Sequence, residues 1–192
     1  MARPRAFDED QVLDAAWDLF RRQGYTATSV ADLEAATGLR PSSLYRAFED
    51  KAGLFAAALE RYVTAFVSPR LDRHAGPGAA LEDLEQLLLS LFELPLADGH
   101  GCLVTNTATE LRAEGPGRGA RVGMDLVARH VREVLVRELA TTARADVETE
   151  VAALGLLYQG LLVLSRAGLL TDAHRDAVRA TFTRLRTLRP SP

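Results

Sequence analysis

The segment from Arg40 to Arg46, RPSSLYR, concentrates hydrogen-bonding side chains within about two turns of a helix. It carries two guanidinium groups, two hydroxyls and a phenol, and residues 35–48 contain no carboxylate. Guanidinium groups bond guanine edges or phosphates, and hydroxyl and phenol groups suit phosphate oxygens. These side chains therefore have the chemistry of a nucleic-acid contact, although the whole chain has a formal net charge of -3.

The apolar residues of this segment divide it into two faces. Leu44 and Phe48 are four residues apart, so both can pack inward while the polar side chains point outward. Lys51 is placed to hold a backbone phosphate, and a loose basic arm at the start of the chain could reach an adjacent groove. The predicted DNA-contacting residues are Arg3, Arg5, Thr28, Arg40, Pro41, Ser42, Ser43, Tyr45, Arg46 and Lys51.

A second unusual segment is GCLVTNTATEL, residues 101–111. Its polar but uncharged residues recur at helical spacing and suit the wall of a cavity that binds a mostly apolar ligand. The alternative is a helix whose hydroxyls bond back to its own carbonyls. The predicted ligand-lining residues are Cys102, Thr105, Asn106 and Thr109 from this segment, together with Tyr62, Phe66, Phe92, Met124, His130, Tyr158 and Gln159.

The sequence contains little that indicates a metal site, a nucleotide-binding loop or a catalytic centre. His100 and Cys102 are two possible metal ligands without a nearby third, so no metal site is predicted. The segment EGPGRG lacks the lysine of a phosphate-binding loop, and the chain contains no HExxH motif and no Ser nucleophile elbow. We therefore expect neither catalysis nor a bound cofactor.

The composition of the 192 residues favours a helical, cytoplasmic protein. Ala, Leu, Arg and Glu are abundant and aromatic residues are few, which favours helices over sheets. The opening MARPRAFDED lacks the apolar core of a signal peptide, and the apolar run at 151–164 is too short to cross a bilayer. The single cysteine excludes an internal disulfide framework. We therefore expect no association with a membrane.

Helical periodicity, caps and breakers together predict an all-α fold. Asp8 is a suitable N-cap for the first helix, Pro41 suits the first position of the third, and HAGPG at 74–78 breaks the chain. The predicted helices cover residues 8–24, 28–38, 41–48, 51–67, 79–94, 102–113, 118–142, 145–168 and 172–188. We predict an N-terminal DNA-binding domain at 1–50 and a ligand-binding and dimerisation domain at 51–192, joined through the long helix.

The second and third predicted helices form a helix-turn-helix motif. They meet at a turn that contains Gly38, and the second helix of the pair is polar on its outer face. In this motif the second helix lies in the major groove, with its N-terminal residues nearest the bases. The polar segment that opens at Arg40 would therefore be the one that contacts DNA.

The stretch from Val12 to Leu54 resembles the DNA-binding domain of the tetracycline-repressor (TetR) family of bacterial transcription regulators. The matching segments are AAWDLFRRQGY at 15–25, TSVADLEAATGL at 28–39 and SLYRAFEDKAGL at 43–54. This resemblance covers about a quarter of the chain closely, while the later helices agree in number and order. It implies a DNA-binding regulator.

Three residues depart from the family's pattern. Glu34 stands where a small apolar residue is usual, Arg40 takes a usual Ser or Thr cap position, and Ala47 replaces a common His. The change at Ala47 removes a possible phosphate contact, and Arg40 can offset it. The departures affect the expected base contacts and leave the expected fold unchanged.

The resemblance also implies a C-terminal bundle that holds a small inducer and forms a homodimer through the last two helices. We expect a repressor of a near-palindromic operator in double-stranded DNA, released by a small, largely apolar effector. The alternative is a repressor that senses oxidants or electrophiles through Cys102.

Apolar stripes on the last two helices are compatible with such a dimer. Gly155, Gly160 and Ala167 would permit close approach of a partner helix. The alternative is that the stripes belong to the core of a monomer. The stripe residues are Leu154, Leu157, Leu161 and Leu164 on one helix and Val178, Phe182 and Leu185 on the other.

Overall fold

A computed structural model of the chain describes residues 7–93, 96–111, 115–139 and 144–189. These residues form helices and turns and contain no strand, so the predicted all-α fold is confirmed. The helices are α1 Glu9–Gln23, α2 Val30–Thr37, α3 Pro41–Phe48, α4 Lys51–Tyr62, α5 Ser68–Ala75, α6 Leu81–Leu89, α7 Leu103–Glu110, α8 Arg118–Glu138, α9 Arg144–Arg166 and α10 Asp172–Thr187.

Local capping explains where the first two helices begin. The Asp8 carboxylate accepts hydrogen bonds from the backbone N–H groups of Asp10 and Gln11 and so caps α1, as predicted. Ser29 and Asp32 form a reciprocal capping box at the start of α2. Because these signals lie within a few residues of each boundary, the sequence predicts the boundaries well.

The helix that begins at Lys51 continues past its predicted end near Val67. A π-helical turn at Val63–Val67 follows α4 and leads directly into α5, which ends at Ala75. Pro69 explains the wider turn, since it has no N–H to bond to Ala65 and its ring crowds that carbonyl. The chain accommodates the proline by widening one turn, and the helix does not stop there.

Elsewhere the predicted helices are shorter in the structure. The predicted helix at 79–94 becomes α6 followed by a 3-10 turn at Ser90–Phe92. The helix predicted at 102–113 is α7, and further 3-10 turns occupy Leu96–Asp98 and Gly115–Gly117.

Two compact units make up the chain. Unit 1 comprises residues 1–66 and 103–122, and unit 2 comprises residues 67–102 and 123–192. Unit 1 therefore includes α4 and α7 together with the three N-terminal helices. The division into functional domains at residue 50 stays a prediction.

The core of unit 1 is built on aromatic contacts between α1 and α4. The rings of Phe20 and Phe55 meet edge to face with centroids 4.8 Å apart, and Tyr25 contacts Phe55 at 4.9 Å. Trp17 lies 5.1 Å from the Tyr62 ring. On the surface, the Arg61 guanidinium bonds the Asp14 carboxylate and lowers its pKa.

Unit 2 is held together by a buried apolar core and by ion pairs between helices. Arg186 and Arg189 both bond the Glu82 carboxylate of α6, and these hydrogen bonds lower the pKa of Glu82 to about 2. Arg189 also pairs with Glu138 of α8. The core side chains of the last two helices include Leu154, Leu161, Val178, Phe182 and Leu185.

This burial differs from the predicted use of the apolar stripes on α9 and α10. Five of their seven residues are buried inside the protomer, and Leu157 and Leu164 are half-buried. The alternative that they form a protein core therefore describes these residues better than a dimer interface does. A different face of α9 is left exposed and apolar.

Among the described residues, one helix segment, Asp146–Arg166, is long and apolar enough to cross a membrane by length and composition. About a third of its most apolar stretch is buried within the protein. Core helices of proteins that never enter a membrane pass the same test, so the segment is weak evidence for a membrane span.

Candidate nucleic-acid interface

The third helix exposes one polar face and buries one apolar face. Leu44 and Phe48 are buried in unit 1, as their spacing predicts. Tyr45, in contrast, is 44% exposed, so its ring and hydroxyl are open to solvent. The other exposed residues of this surface are Arg40, Ser42 and Arg46, and Pro41, Ser43 and Ala47 are half-buried.

The turn before this helix sets its direction. Gly38 has a φ of 69° in the left-handed region and closes α2, and its N–H donates to the Glu34 carbonyl. Arg40 then takes the N-cap position of α3 without making a side-chain cap hydrogen bond. Its guanidinium is therefore not used to cap the helix.

A tight corner joins α3 to α4. Asp50 caps α4 by accepting a hydrogen bond of 2.7 Å from the Gly53 N–H. A Cβ atom at Gly53 would lie 2.0 Å from the Phe48 carbonyl oxygen, so this approach requires glycine. The corner places Lys51 in the first turn of α4, with its ammonium 4.5 Å from the centroid of the Tyr25 ring.

Of the predicted DNA-contacting residues that the structure describes, Thr28 does not join this surface. Thr28 is buried, and its hydroxyl donates to the Gly24 carbonyl at 2.6 Å, so it supports the start of α2 from inside. Arg3 and Arg5 lie outside the described residues. The surface formed by the other seven is called the α3 face below: Arg40, Pro41, Ser42, Ser43, Tyr45, Arg46 and Lys51.

Glu110, at the end of α7, supports the motif and was not identified from the sequence. Its carboxylate accepts hydrogen bonds from the backbone N–H groups of Tyr25 at 2.9 Å and Thr26 at 2.7 Å. It thus holds the loop between α1 and α2, although 85 residues separate it from Tyr25. No local motif marks this role, because the contact depends on tertiary packing.

The polar stripe of α7 is used mainly for packing within the protein. Asn106 donates to the Arg21 carbonyl of α1 at 3.2 Å, and the Thr109 hydroxyl donates to carbonyls one turn earlier in its own helix. Thr105 and Asn106 are buried, whereas Thr109 is exposed. The back-bonding alternative therefore accounts for Thr109, and Asn106 joins α7 to α1.

Cys102 and Tyr158 lie in the interior of unit 2. The Tyr158 phenol accepts a long hydrogen bond of 3.4 Å from Arg70. Burial raises the pKa of Tyr158 to about 12. Arg70 also donates to the Leu87 carbonyl at 2.8 Å. Cys102 is a buried free thiol.

The other predicted ligand-lining residues are dispersed between the two units. In unit 1, Tyr62 is buried and Phe66 half-buried, with their rings stacked at 5.1 Å. In unit 2, the Phe92 ring lies beneath the Arg175 guanidinium, 5.0 Å away, and His130 bonds the Leu126 carbonyl. Met124 and Gln159 are half-buried residues of α8 and α9.

Phe92 also lines a cavity of about 410 Å³ in unit 2. The other lining residues come from the second 3-10 turn, the end of α9 and the start of α10: Ala97, Gly99, Ser165, Gly168, Leu170, Thr171, Asp172 and Arg175. The α7 stripe contributes no residue to this cavity. Within the described parts of the chain, no group of three or more His, Cys, Asp or Glu side chains is arranged to hold a metal ion.

Comparison with known proteins supports the interpretation of the N-terminal helices. The family model described as "Bacterial regulatory proteins, tetR family" matches residues 12–58. The HTH-type transcriptional repressors ComR and BdcR of Escherichia coli are 50% and 44% identical over 66 and 70 residues. These matches cover 34% and 36% of this chain, and 31% of ComR and 36% of BdcR, so the similarity spans about a third of each curated relative.

A solved structure extends the similarity over nearly the whole chain. It is described as a cysteine mutant of the TetR family transcriptional regulator CifR, complexed with 26-bp double-strand operator DNA. It is 30% identical with a TM-score of 0.79, and the match covers 94% of this chain and 98% of that one. The helix-turn-helix geometry, the family match and this full-length similarity place the chain in the TetR family of bacterial transcriptional regulators.

Proposed function

We propose that this protein is a cytoplasmic transcriptional repressor that binds operator DNA through the α3 face. The observation that carries the proposal is the exposure of Arg40, Tyr45 and Arg46 at the start and on the surface of a short helix that buries Leu44 and Phe48. Residues 35–48 contain no carboxylate that would repel phosphate. A helix of this kind fits the major groove, with phosphate contacts at its ends.

Named relatives support a repressor rather than another DNA-binding protein. ComR and BdcR are both described as repressors, and the segments that match them cover about a third of this chain. The CifR structure contains an operator duplex. In this chain, the proposed operator contacts are the seven residues of the α3 face.

The proposed repressor acts as a homodimer through an exposed face of α9. Leu156 is 77% exposed and Val163 47% exposed, and both lie in a helical row with small residues. The row, called the α9 face below, comprises Ala152, Leu156, Gly160, Val163 and Ala167. Small residues at this spacing allow two helices to approach closely, and a second copy would remove the apolar surface from water.

A bound small molecule is the proposed signal for release from DNA. A ligand can shift the protein away from its DNA-binding arrangement only if it binds the other arrangement more tightly. The alternative trigger, oxidation or alkylation of Cys102, has less support because its thiol is buried and reactive cysteines need access. A largely apolar effector is therefore the proposed cause of release.

Selection of bound duplexes from a random pool tests the proposed function. Two identical helices related by a twofold axis require two half-sites about 34–36 Å apart, which is close to one turn of DNA. We expect enrichment of a near-palindromic sequence with that spacing. Recovery of duplexes without a shared sequence would contradict operator recognition.

A further inference from the structure

Tyr25 contacts Lys51 of the α3 face from the loop between α1 and α2. It is half-buried, and the centroid of its ring lies 4.5 Å from the Lys51 ammonium. Tyr25 was not among the predicted DNA-contacting residues. Lys51 is the only lysine in the chain, which otherwise uses arginine for its basic side chains. The contact therefore joins the loop to one of the proposed phosphate contacts.

A lysine at this position benefits from a local partner. Lys51 lies in the first turn of α4, where the helix macrodipole is positive and repels a cation. Its charge is carried on a flexible four-carbon stem, and binding a phosphate has to fix that stem at an entropic cost. An attraction that holds the ammonium in place before DNA binds lowers this cost.

The Tyr25 ring supplies such an attraction. The face of an aromatic ring attracts an ammonium group, and a neutral ring leaves the positive charge available to a phosphate. Burial and the Asp50 carboxylate raise the pKa of Tyr25, so its phenol stays protonated at neutral pH. The ring is therefore a neutral partner for Lys51, whereas a carboxylate in its place would compete with the phosphate.

The Tyr25 ring is itself held in place on two sides. It meets the Phe55 ring edge to face with centroids 4.9 Å apart and stacks against Phe20 at 6.3 Å. Its backbone N–H donates to the Glu110 carboxylate at 2.9 Å, and the same carboxylate accepts from the Thr26 N–H at 2.7 Å. Both the side chain and the backbone of Tyr25 are thus fixed by contacts within unit 1.

We propose that Tyr25 is a positioning residue for DNA binding, whose ring holds the Lys51 ammonium where it contacts an operator phosphate. Glu110 acts one step further away, by holding the Tyr25 backbone. The phosphate part rests on the proposed function, whereas the contact between the ring and the ammonium does not.

The ring contact is tested on the whole protein after reductive methylation with carbon-13 formaldehyde, which labels Lys51 and keeps its positive charge. Because the chain has one lysine, a proton–carbon correlation spectrum contains one lysine signal, and the loss of that signal in Lys51→Arg assigns it. Protons that lie over an aromatic ring are shifted upfield by its ring current. We expect this shift, relative to the protein unfolded in urea, in the unmodified chain and in Tyr25→Phe but not in Tyr25→Leu.

Phe66→Leu is the matched control for the loss of an aromatic ring. Phe66 is a half-buried residue of unit 1 that stacks on Tyr62, so its replacement is expected to leave the lysine signal shifted. An unchanged shift in Tyr25→Leu would overturn the ring contact. A lysine signal at its unfolded position in the unmodified protein would overturn it too, and this result requires no variant to fold.

The positioning role is tested by a double-mutant cycle with the selected operator, measured by fluorescence anisotropy of a labelled duplex at fixed salt. We expect Tyr25→Leu to weaken operator binding about fivefold, which corresponds to about 1 kcal/mol, and Tyr25→Phe to bind like the unmodified protein. When Lys51→Ala is already present, Tyr25→Leu is expected to cause no further loss, because no ammonium remains to be positioned.

A purely structural role of Tyr25 gives a different result. The loss of affinity would then be equal with and without Lys51, and that result would overturn the positioning role. A similar loss in Tyr25→Phe would also overturn it, because that variant keeps the ring. Failure of the unmodified protein to bind any operator would contradict the proposed function, while the lysine spectrum still decides the ring contact.

Discussion

At the scale of single residues, the helix-turn-helix motif contains functional candidates that the sequence of the segment identifies. It also depends on Glu110, which the sequence did not identify. Arg40, Tyr45 and Arg46 stand out because they share a short helix with a buried apolar side. Glu110 lies far away in the sequence and contributes through the two backbone N–H groups that it accepts. Glu110 therefore holds the loop between α1 and α2, whereas Arg40, Tyr45 and Arg46 belong to the exposed surface of the motif.

We predict that Glu110→Ala lowers the stability of unit 1 by about 1 kcal/mol and weakens operator binding. Two backbone donors lose a charged acceptor, although water can replace part of the bonding at this exposed carboxylate. Thermal unfolding and a mobility-shift titration measure the two effects. Glu133→Ala, at an exposed position in unit 2, is the control, and an equal effect of both substitutions would contradict the role of Glu110.

The polar stripe that contains Asn106 and Thr109 shows why the use of such a stripe is ambiguous from the sequence alone. Uncharged polar side chains at helical spacing suit a cavity wall, a helix contact or local back-bonding equally well. The structure places Asn106 against the Arg21 carbonyl and turns the Thr109 hydroxyl onto its own helix. Only the neighbouring elements distinguish these uses, and one sequence does not specify them.

At the scale of elements, boundaries set by local caps were predictable and those set by packing were not. Asp8 and Ser29 mark the starts of α1 and α2 through contacts to residues within one turn. Pro69, in contrast, leads to a π-helical turn because the helix continues on both sides of it. A proline at this point of the sequence is compatible with a break or with a wider turn, so the sequence did not predict the extension to Ala75.

Helix α9 is apolar on more than one side. The spacing of its apolar residues therefore did not show which of them belong to the core and which could form an interface. Leu154 and Leu161 are buried, while Leu156 and Val163 on the α9 face are exposed. Both sets recur at helical spacing. Because Leu154 and Leu161 are buried within the protomer, the proposed dimer interface uses the exposed residues Leu156 and Val163 instead.

We predict that Leu156→Lys converts the protein to a monomer at micromolar concentration while leaving its helix content unchanged. A lysine at the exposed Leu156 position costs the protomer little, but a second copy would have to bury its charge. Val136→Lys is the matched control, since Val136 is 53% exposed on α8, outside the α9 face. Sedimentation velocity measures the masses. A dimer that survives Leu156→Lys, or an unmodified protein that is already a monomer, would contradict the proposed interface.

At the scale of the whole molecule, the compact units do not follow the order of the chain. Residues 103–122 belong with the N-terminal helices in unit 1, although 36 residues of unit 2, 67–102, intervene. The sequence predicts each of these helices. It does not predict which of them pack together, because that depends on contacts between residues far apart in the chain. The helix-turn-helix motif escaped this difficulty because its parts are consecutive.

The measurement that most directly tests the central claim is the salt dependence of operator binding by variants of the α3 face. We predict that Arg46→Ala and Lys51→Ala each weaken binding and lower the slope of log K against log salt by about one, because each removes a proposed phosphate contact. Arg40→Ala is expected to change the preferred base instead. Arg179→Ala, on the exposed surface of α10, is the control that leaves binding unchanged. Unaltered affinity, salt slope and sequence preference in all three variants of the α3 face would contradict the account.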